Sequence, residues 1–240
     1  MSRPFQFKYF NVIQEQNAHK VGTDSMILGA WVSNGYKRIL DVGTGTGVLA
    51  LMMAQKNPDA VITAIEPQPQ NIQEALANFQ NGPYHDRIMG VPARLQDFAS
   101  MEKYDFIISN PPYFDQDYKA PNAERNQARH TDDLNIYDLY EYGADLLAEN
   151  GRIAVVFPDN LFEKHLAIAL DEGLYAERIL KHLDPNGHIK RYYVEFSNQD
   201  KKDINIEELF VKDAHNNYSS AYIQLTKEFH NKDLSNNGGK

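Results

Sequence analysis

The chain has 240 residues, 42% of them hydrophobic and 24% charged, with no cysteine and a formal net charge of −9. That excludes wholesale disorder, disulfides, iron–sulfur clusters, thiolate zinc sites, cysteine nucleophiles and a uniformly basic nucleic-acid binder. No apolar run approaches the roughly 20 residues of a membrane-spanning helix; the densest, Ile153–Pro158, has strand length. At about 100–200 residues per domain, the length predicts one domain. We expect it over 1–230, with a short N-terminal extension (1–24) and a disordered polar tail (231–240). The N-terminus carries no charged-then-apolar signal pattern, so the expected location is cytoplasmic.

Phe5 to Val21 is rich in aromatic and β-branched residues and predicts one or two short strands, arranged as a hairpin. Thr23-Asp24-Ser25 then offers helix N-caps for a helix through Met26–Trp31, ending near Asn34-Gly35. A regular alternation follows: strand Arg38–Val42, helix Val48–Lys56, strand Val61–Glu66, helix Gln68–Phe79, strand Arg87–Val91 and strand Tyr104–Asn110. Helix Ile136–Ala148, strand Gly151–Phe157 and helix Leu161–Leu170, capped by Asp159 or Asn160, continue it. Strands with continuous apolar runs alternating with helices imply an α/β fold, a mostly parallel sheet covered on both faces. Ala176–Leu183 and Lys190–Ser197, joined through Asp184-Pro185-Asn186-Gly187, predict a hairpin. The hairpin is expected to supply one antiparallel strand to an otherwise parallel, seven-stranded sheet. Ile206–Val211 is a further strand candidate, and Tyr218, Tyr222, Leu225 and Phe229 fall at helical spacing.

Asp41-Val42-Gly43-Thr44-Gly45-Thr46-Gly47 follows the first strand of the alternation and opens a helix. Glycines there let the backbone turn tightly and a ligand approach closely. Glu66 ends the next strand, where a carboxylate can accept hydrogen bonds from both ribose hydroxyls of a nucleoside. Asp41 would repel a pyrophosphate but attract a cationic amino-acid moiety. The loop resembles the first motif of Rossmann-like S-adenosyl-L-methionine-dependent methyltransferases. In that class an acid past the third strand, here Asp97 beside Phe98, often accepts from the adenine amino group; a loop or capping role fits Asp97 equally.

Asn110-Pro111-Pro112-Tyr113 follows the strand Tyr104–Ser109. Prolines cannot continue a central strand, so the chain must leave the sheet at the edge where open α/β sheets bind ligands. The chemistry that suits this loop is methyl transfer to a planar amino nitrogen. Such a nitrogen is a poor nucleophile, and two acceptors must hold its N–H groups. The Asn110 side-chain oxygen and the Pro111 carbonyl can do so, and Tyr113 offers a ring to stack on a base. The loop resembles that of amino-methyltransferases acting on adenine N6, cytosine N4 or glutamine N5.

The resemblance extends from about Phe5 to His230. Ala18–Asp24, Leu28–Trp31, Asn110–Phe114, Arg125 with Ala128-Arg129-His130, and the aromatic pattern Tyr218 to Phe229 are similar to the bacterial tRNA adenine-N6-methyltransferases that modify the adenine 3′ of a valine anticodon. The resemblance implies that Lys20, Gly22, Thr23, Asp41, Gly43, Gly45, Glu66, Asp97, Phe98 and Asn110 contact the cofactor, and that Asn110, Pro111, Pro112 and Tyr113 carry catalysis.

Arg125, Arg129 and His130 could grip phosphates beside a flipped adenine, as could Lys190 and Arg191 in a second cluster with Lys181, His182 and His188. Tyr192 and Tyr193 beside that cluster suit RNA stacking or the core equally. A polyanion meeting a net charge of −9 should bind only through such patches, weakly and salt-sensitively. His85, His165, His215 and His230 lack metal-ligand spacing and are expected at the surface or as caps. The alternatives are methylation of protein glutamine, ribosomal RNA or DNA, or a non-catalytic docking module that binds the cofactor.

Overall fold

The apolar runs pair as their composition demands, into one large sheet whose central strands are buried on both faces. The computed structural model describes residues 3–15, 20–112, 134–201 and 203–234. Tyr113, Arg125, Arg129 and His130 lie outside the described residues, as does most of the tail. The described elements are β1 (Phe5–Gln6), β2 (Asn11–Val12), α1 (Thr23–Trp31), β3 (Arg38–Val42), α2 (Val48–Lys56), β4 (Val61–Ile65), α3 (Pro69–Gln80), β5 (Ile88–Val91) and β6 (Tyr104–Ser109). Then come α4 (Ile136–Leu146), β7 (Leu147–Pro158), α5 (Phe162–Asp171), β8 (Tyr175–Leu183), β9 (Ile189–Ser197), β10 (Asn205–Phe210) and α6 (Ser220–Thr226).

The large sheet has the order β10-β8-β9-β7-β6-β3-β4-β5. All its pairings are parallel except those of β9, which is antiparallel to both β7 and β8. The hairpin strand is thus the antiparallel one, as expected. The sheet has eight strands rather than seven because β10 adds to β8 at the edge. Side chains from α1, α2, α3 and α6 pack on one face, and those from α4 and α5 on the other. Among the described residues no helix is long and apolar enough to cross a membrane.

The chain ends build on the same core. β1 and β2 form the expected hairpin, with Phe7 stacked on Phe10 and both buried. Asn78 of α3 accepts from Ile13 N and donates to the carbonyls of Ile13 and Thr46, fastening this segment to the glycine loop. The C-terminal aromatics bury Tyr222 and Phe229, but α6 itself spans only Ser220–Thr226, capped by Ser219. Phe7 bridges His230, and Lys8 N donates to Phe229 O, so residues near the two ends meet.

Two capping expectations fail. α1 starts after Gly22 with no side-chain cap, and it ends at Trp31 rather than near Asn34. Asp24 and Ser25 spend their side chains on distant strands instead. α5 is preceded by a 3-10 turn over Asp159–Leu161, so neither Asp159 nor Asn160 caps it. His165 is a third correction. It is fully buried in α5, stacked on Phe157 at 3.8 Å with Nδ1 against Tyr140 OH at 2.8 Å. Burial pushes its pKa down to about 3, so it is a neutral core residue and not a surface or capping one.

Candidate active site

β3 lies at the point where the sheet order reverses, with β4 on one side and β6 on the other. Val42, Ile65 and Ser109 are in register across these three strands. The next residues, Gly43, Glu66 and Asn110, therefore leave the sheet side by side. The Ser109 hydroxyl donates to Val42 O at 2.9 Å and ties two of the strand ends together.

The glycine loop is built on three left-handed residues: Gly43 (φ 69°), Gly45 (φ 54°) and Gly47 (φ 83°). A side chain in this region costs about 1–2 kcal/mol, which is why glycine recurs here. At Gly47 a Cβ would also lie 2.4 Å from the Phe79 ring. The N–H groups of Gly43 and Thr44 both donate to Ile65 O at 3.0 Å, fixing the loop over β4.

Two buried carboxylates complete this half of the site. Asp41 Oδ2 accepts from the Thr44 hydroxyl at 2.5 Å and from Ala50 N at 3.0 Å. Asp41 Oδ1 has no partner among the described residues, although it is buried. Burial pushes the Asp41 carboxyl up to about 7. Glu66 Oε2 accepts from Gly45 N at 3.1 Å, and Oε1 from Gln68 N at 3.1 Å and Asn71 Nδ2 at 3.4 Å. Each carboxylate oxygen has two lone pairs, so Glu66 keeps capacity for further donors.

Beside this loop is a shallow, half-open cleft walled chiefly by Val42, Gly43, Ile65, Pro67, Leu95 and Gln96. Its lining is mostly apolar, as a planar ring requires. Leu95 and Gln96 belong to a 3-10 turn, Leu95–Asp97. Asp97 at the end of that turn is exposed, with Arg94 Nε 3.7 Å away, and Phe98 packs toward Tyr104. Of these walls Val42 and Gly43 belong to the glycine motif; Ile65, Pro67 and Leu95 carry no motif of their own.

On the other side of β3, Asn110 is half-buried and Pro111 buried. Asn110 Nδ2 donates to Ser25 Oγ at 2.9 Å. Lys20, Gly22 and Thr23 are exposed just before and at the start of the helix that carries Ser25. Arg191 is paired through Nε with Asp24 Oδ2 at 3.0 Å, and Lys190 is exposed. Tyr192 and Tyr193 are both buried, which settles them as core. Among the described residues no group of His, Asp or Glu is arranged to hold a metal ion.

Solved structures with this architecture include methyltransferases. A predicted O-methyltransferase from Agrobacterium tumefaciens matches with a TM-score of 0.66, covering 86% of this chain and 96% of its own, at 15% identity. An N-methyltransferase from Bradyrhizobium japonicum, solved with S-adenosyl-L-homocysteine, matches with a TM-score of 0.54 over 73% of this chain and 84% of its own, at 14% identity. These likenesses carry the fold. The family model for the methyltransferase small domain matches residues 17–182, so the chain is a methyltransferase of the Rossmann-like, S-adenosyl-L-methionine-dependent class.

Closer relatives narrow this. The tRNA1(Val) (adenine(37)-N6)-methyltransferase of Flavobacterium johnsoniae is 39% identical over 94% of this chain and 98% of its own length. Its counterpart in Bacteroides thetaiotaomicron is 40% identical over 96% and 98%. The chain belongs to the family these relatives represent, the tRNA1(Val) (adenine(37)-N6)-methyltransferases.

The residues around the glycine loop fit the cofactor of this class. An unpartnered buried carboxylate oxygen on Asp41 suits an ammonium group, Glu66 suits a ribose, and the apolar cleft suits an adenine ring.

Proposed function

We propose that the chain methylates the N6 amine of an adenine in a tRNA anticodon loop, the adenine at position 37 of tRNA1(Val) named for its relatives. The observation that carries this reading is the emergence of Asn110 beside Gly43, one residue past the paired positions Ser109 and Val42. It sets an amide acceptor next to the glycine loop.

In this reading Asp41 and Glu66 bind the two ends of the donor, and Gly43 and Gly45 allow its close approach. Lys20, Gly22, Thr23, Asp97 and Phe98 extend the pocket as the family resemblance implies. S-adenosyl-L-methionine, when bound, supplies an electrophilic methyl group on a sulfonium. Asn110 Oδ1 and the Pro111 carbonyl accept the two N–H groups of the target amine and aim its lone pair. Each bond strengthens as the nitrogen gains positive charge, so the pair favours the transition state over the ground state. Hydrogen bonds to charged groups contribute about 1.5–3 kcal/mol each. Tyr113, next in sequence after the prolines, offers a ring to stack on the base. The amine attacks first and sheds its proton afterwards to solvent, so no strong base is required.

A loop adenine is partly unstacked before it is bound, which lowers the cost of extruding it. Arg125, Arg129, His130 and Lys190 are the cations assigned to phosphates. Their contacts must act against a net charge of −9, so affinity should fall steeply with salt.

The test is methyl transfer from labelled S-adenosyl-L-methionine to total bacterial tRNA, followed by nucleoside analysis. Label in N6-methyladenosine supports the reading. Label in protein or ribosomal RNA, with none in tRNA, overturns the substrate and keeps the cofactor site.

A further inference from the structure

We propose that Ser25 is a positioning residue for Asn110, and that Asp24 straps the helix turn carrying Ser25 to the antiparallel strand β9. The inference rests on the methyl-transfer reading above and adds to it the groups that aim the acceptor loop.

Asn110 needs an external guide. It is the first residue past β6, and two prolines follow it. Neither proline has an N–H with which to anchor the loop to a neighbour. The terminal torsion of an asparagine is broad and roughly two-fold, so its own rotamer preference does not fix the amide plane. Ser25 Oγ supplies the guide by accepting from Nδ2 at 2.9 Å. An amide carries its oxygen and nitrogen on opposite sides of the carbon, so holding Nδ2 at Ser25 turns Oδ1 the other way. Ser25 is buried, which shields the bond from competing water.

Ser25 can guide only if its own turn stays in place. α1 begins after Gly22, and no side chain caps it. The restraint comes from the neighbouring residue. Asp24 Oδ2 accepts from Arg191 Nε at 3.0 Å, and Oδ1 accepts from Tyr193 OH at 3.2 Å. Tyr193 is fully buried, and Arg191 stands opposite Pro158 at the end of β7. Two consecutive residues of one helix turn thus face two different targets: one holds the reacting loop and the other holds the sheet. Neither side chain caps the helix, whose N-cap position is held by Gly22.

The experiment uses the full chain with Ser25→Ala, Ser25→Thr and Asp24→Asn. Four quantities are read: kcat and KM on tRNA, the Kd of S-adenosyl-L-homocysteine by calorimetry, and the Asn110 side-chain amide signal by nitrogen-15 NMR. That signal is identified by its loss in Asn110→Ala. Ser25→Ala should lower kcat about tenfold, the scale of one lost hydrogen bond. KM and the product Kd should stay within about twofold, Ser25→Thr should recover most of kcat, and the amide signal should move in Ser25→Ala and Asp24→Asn but not in Ser25→Thr. Asp24→Asn should lower kcat in the same sense. A kcat within twofold of the parent in Ser25→Ala overturns the proposal. So does an equal loss in product affinity with no recovery by Ser25→Thr. A rise in tRNA KM without a fall in kcat in Asp24→Asn overturns the strap and returns Arg191 to phosphate binding. If the parent chain does not methylate tRNA, the functional reading falls separately; an unmoved Asn110 amide in Ser25→Ala still overturns the proposal, and a moved one supports it.

Discussion

The two halves of the site flank the same strand, yet they are assembled in opposite ways. On the glycine-loop side the bonds of the two carboxylates are short in sequence. Asp41 reaches Thr44 and Ala50, three and nine residues on, and Glu66 reaches back 21 residues to Gly45. On the acceptor side the bonds are long. Asn110 reaches Ser25 across 85 residues, and Asp24 reaches Arg191 across 167. A donor pocket made of adjacent strand–loop–helix units forms with the sheet itself. An acceptor loop stiffened by prolines but lacking their N–H donors must borrow its restraint from the rest of the fold. The difference predicts that damage to the first half weakens binding, whereas damage to the second slows turnover.

The largest separation of the two should come from Asn110→Ala. It removes an acceptor that tightens as the amine becomes charged, and turnover should fall by about 10–150-fold, matching about 1.5–3 kcal/mol. Calorimetry should find S-adenosyl-L-homocysteine affinity nearly unchanged. Parallel losses in both would dissolve the distinction. Glu66→Ala is the converse. It should weaken cofactor binding about tenfold or more while kcat at saturating donor stays within a few-fold, since one carboxylate serves both the Gly45 N–H and the ligand.

A third effect concerns stability. The Asp41 carboxyl is raised in the folded chain to about 7 from 3.8 by burial. The folded state therefore binds the extra proton between those values. The stabilisation is full below the ordinary carboxyl pKa and is lost as pH rises through about 7. Unfolding curves from pH 4 to 8 should show the parent losing roughly 2–4 kcal/mol relative to Asp41→Asn, each pKa unit being about 1.4 kcal/mol. A flat difference would mean that Asp41 stays ionised. The smallest effect expected is from Gly47→Ala, where a left-handed φ and the Phe79 ring together should cost about 2 kcal/mol of stability with little change in kcat.

The same contrast explains what the sequence could disclose. The alternation of apolar strands and helices is a local pattern, and so are the glycine loop, Glu66 and the Asn-Pro-Pro turn; all are visible in a single stretch of chain. The eighth strand was visible only as a candidate, because an edge strand such as β10 alternates exposed and covered residues less regularly. Thr23-Asp24-Ser25 looked like a cap because short polar residues before an apolar run usually are one. Nothing nearby in sequence marks Arg191, Tyr193 and Asn110 as the true partners. His165 misled for a related reason: its burial depends on Tyr140 and Phe157, which come from two other elements. The apolar walls of the cleft are ordinary core residues until the fold leaves a space between them.

The meeting of Phe7 and Lys8 with Phe229 and His230 has a consequence for biosynthesis. The ribosome makes Phe7 and Lys8 early and Phe229 and His230 more than 200 residues later. Until those residues emerge, Lys8 N lacks its acceptor and Phe7 its bridge, although β1 and β2 and the large sheet can already pair. Truncation before residue 229 would therefore keep the central strands paired but leave Phe7 and Lys8 unclasped, an exposed edge of the kind that chaperones and proteases survey.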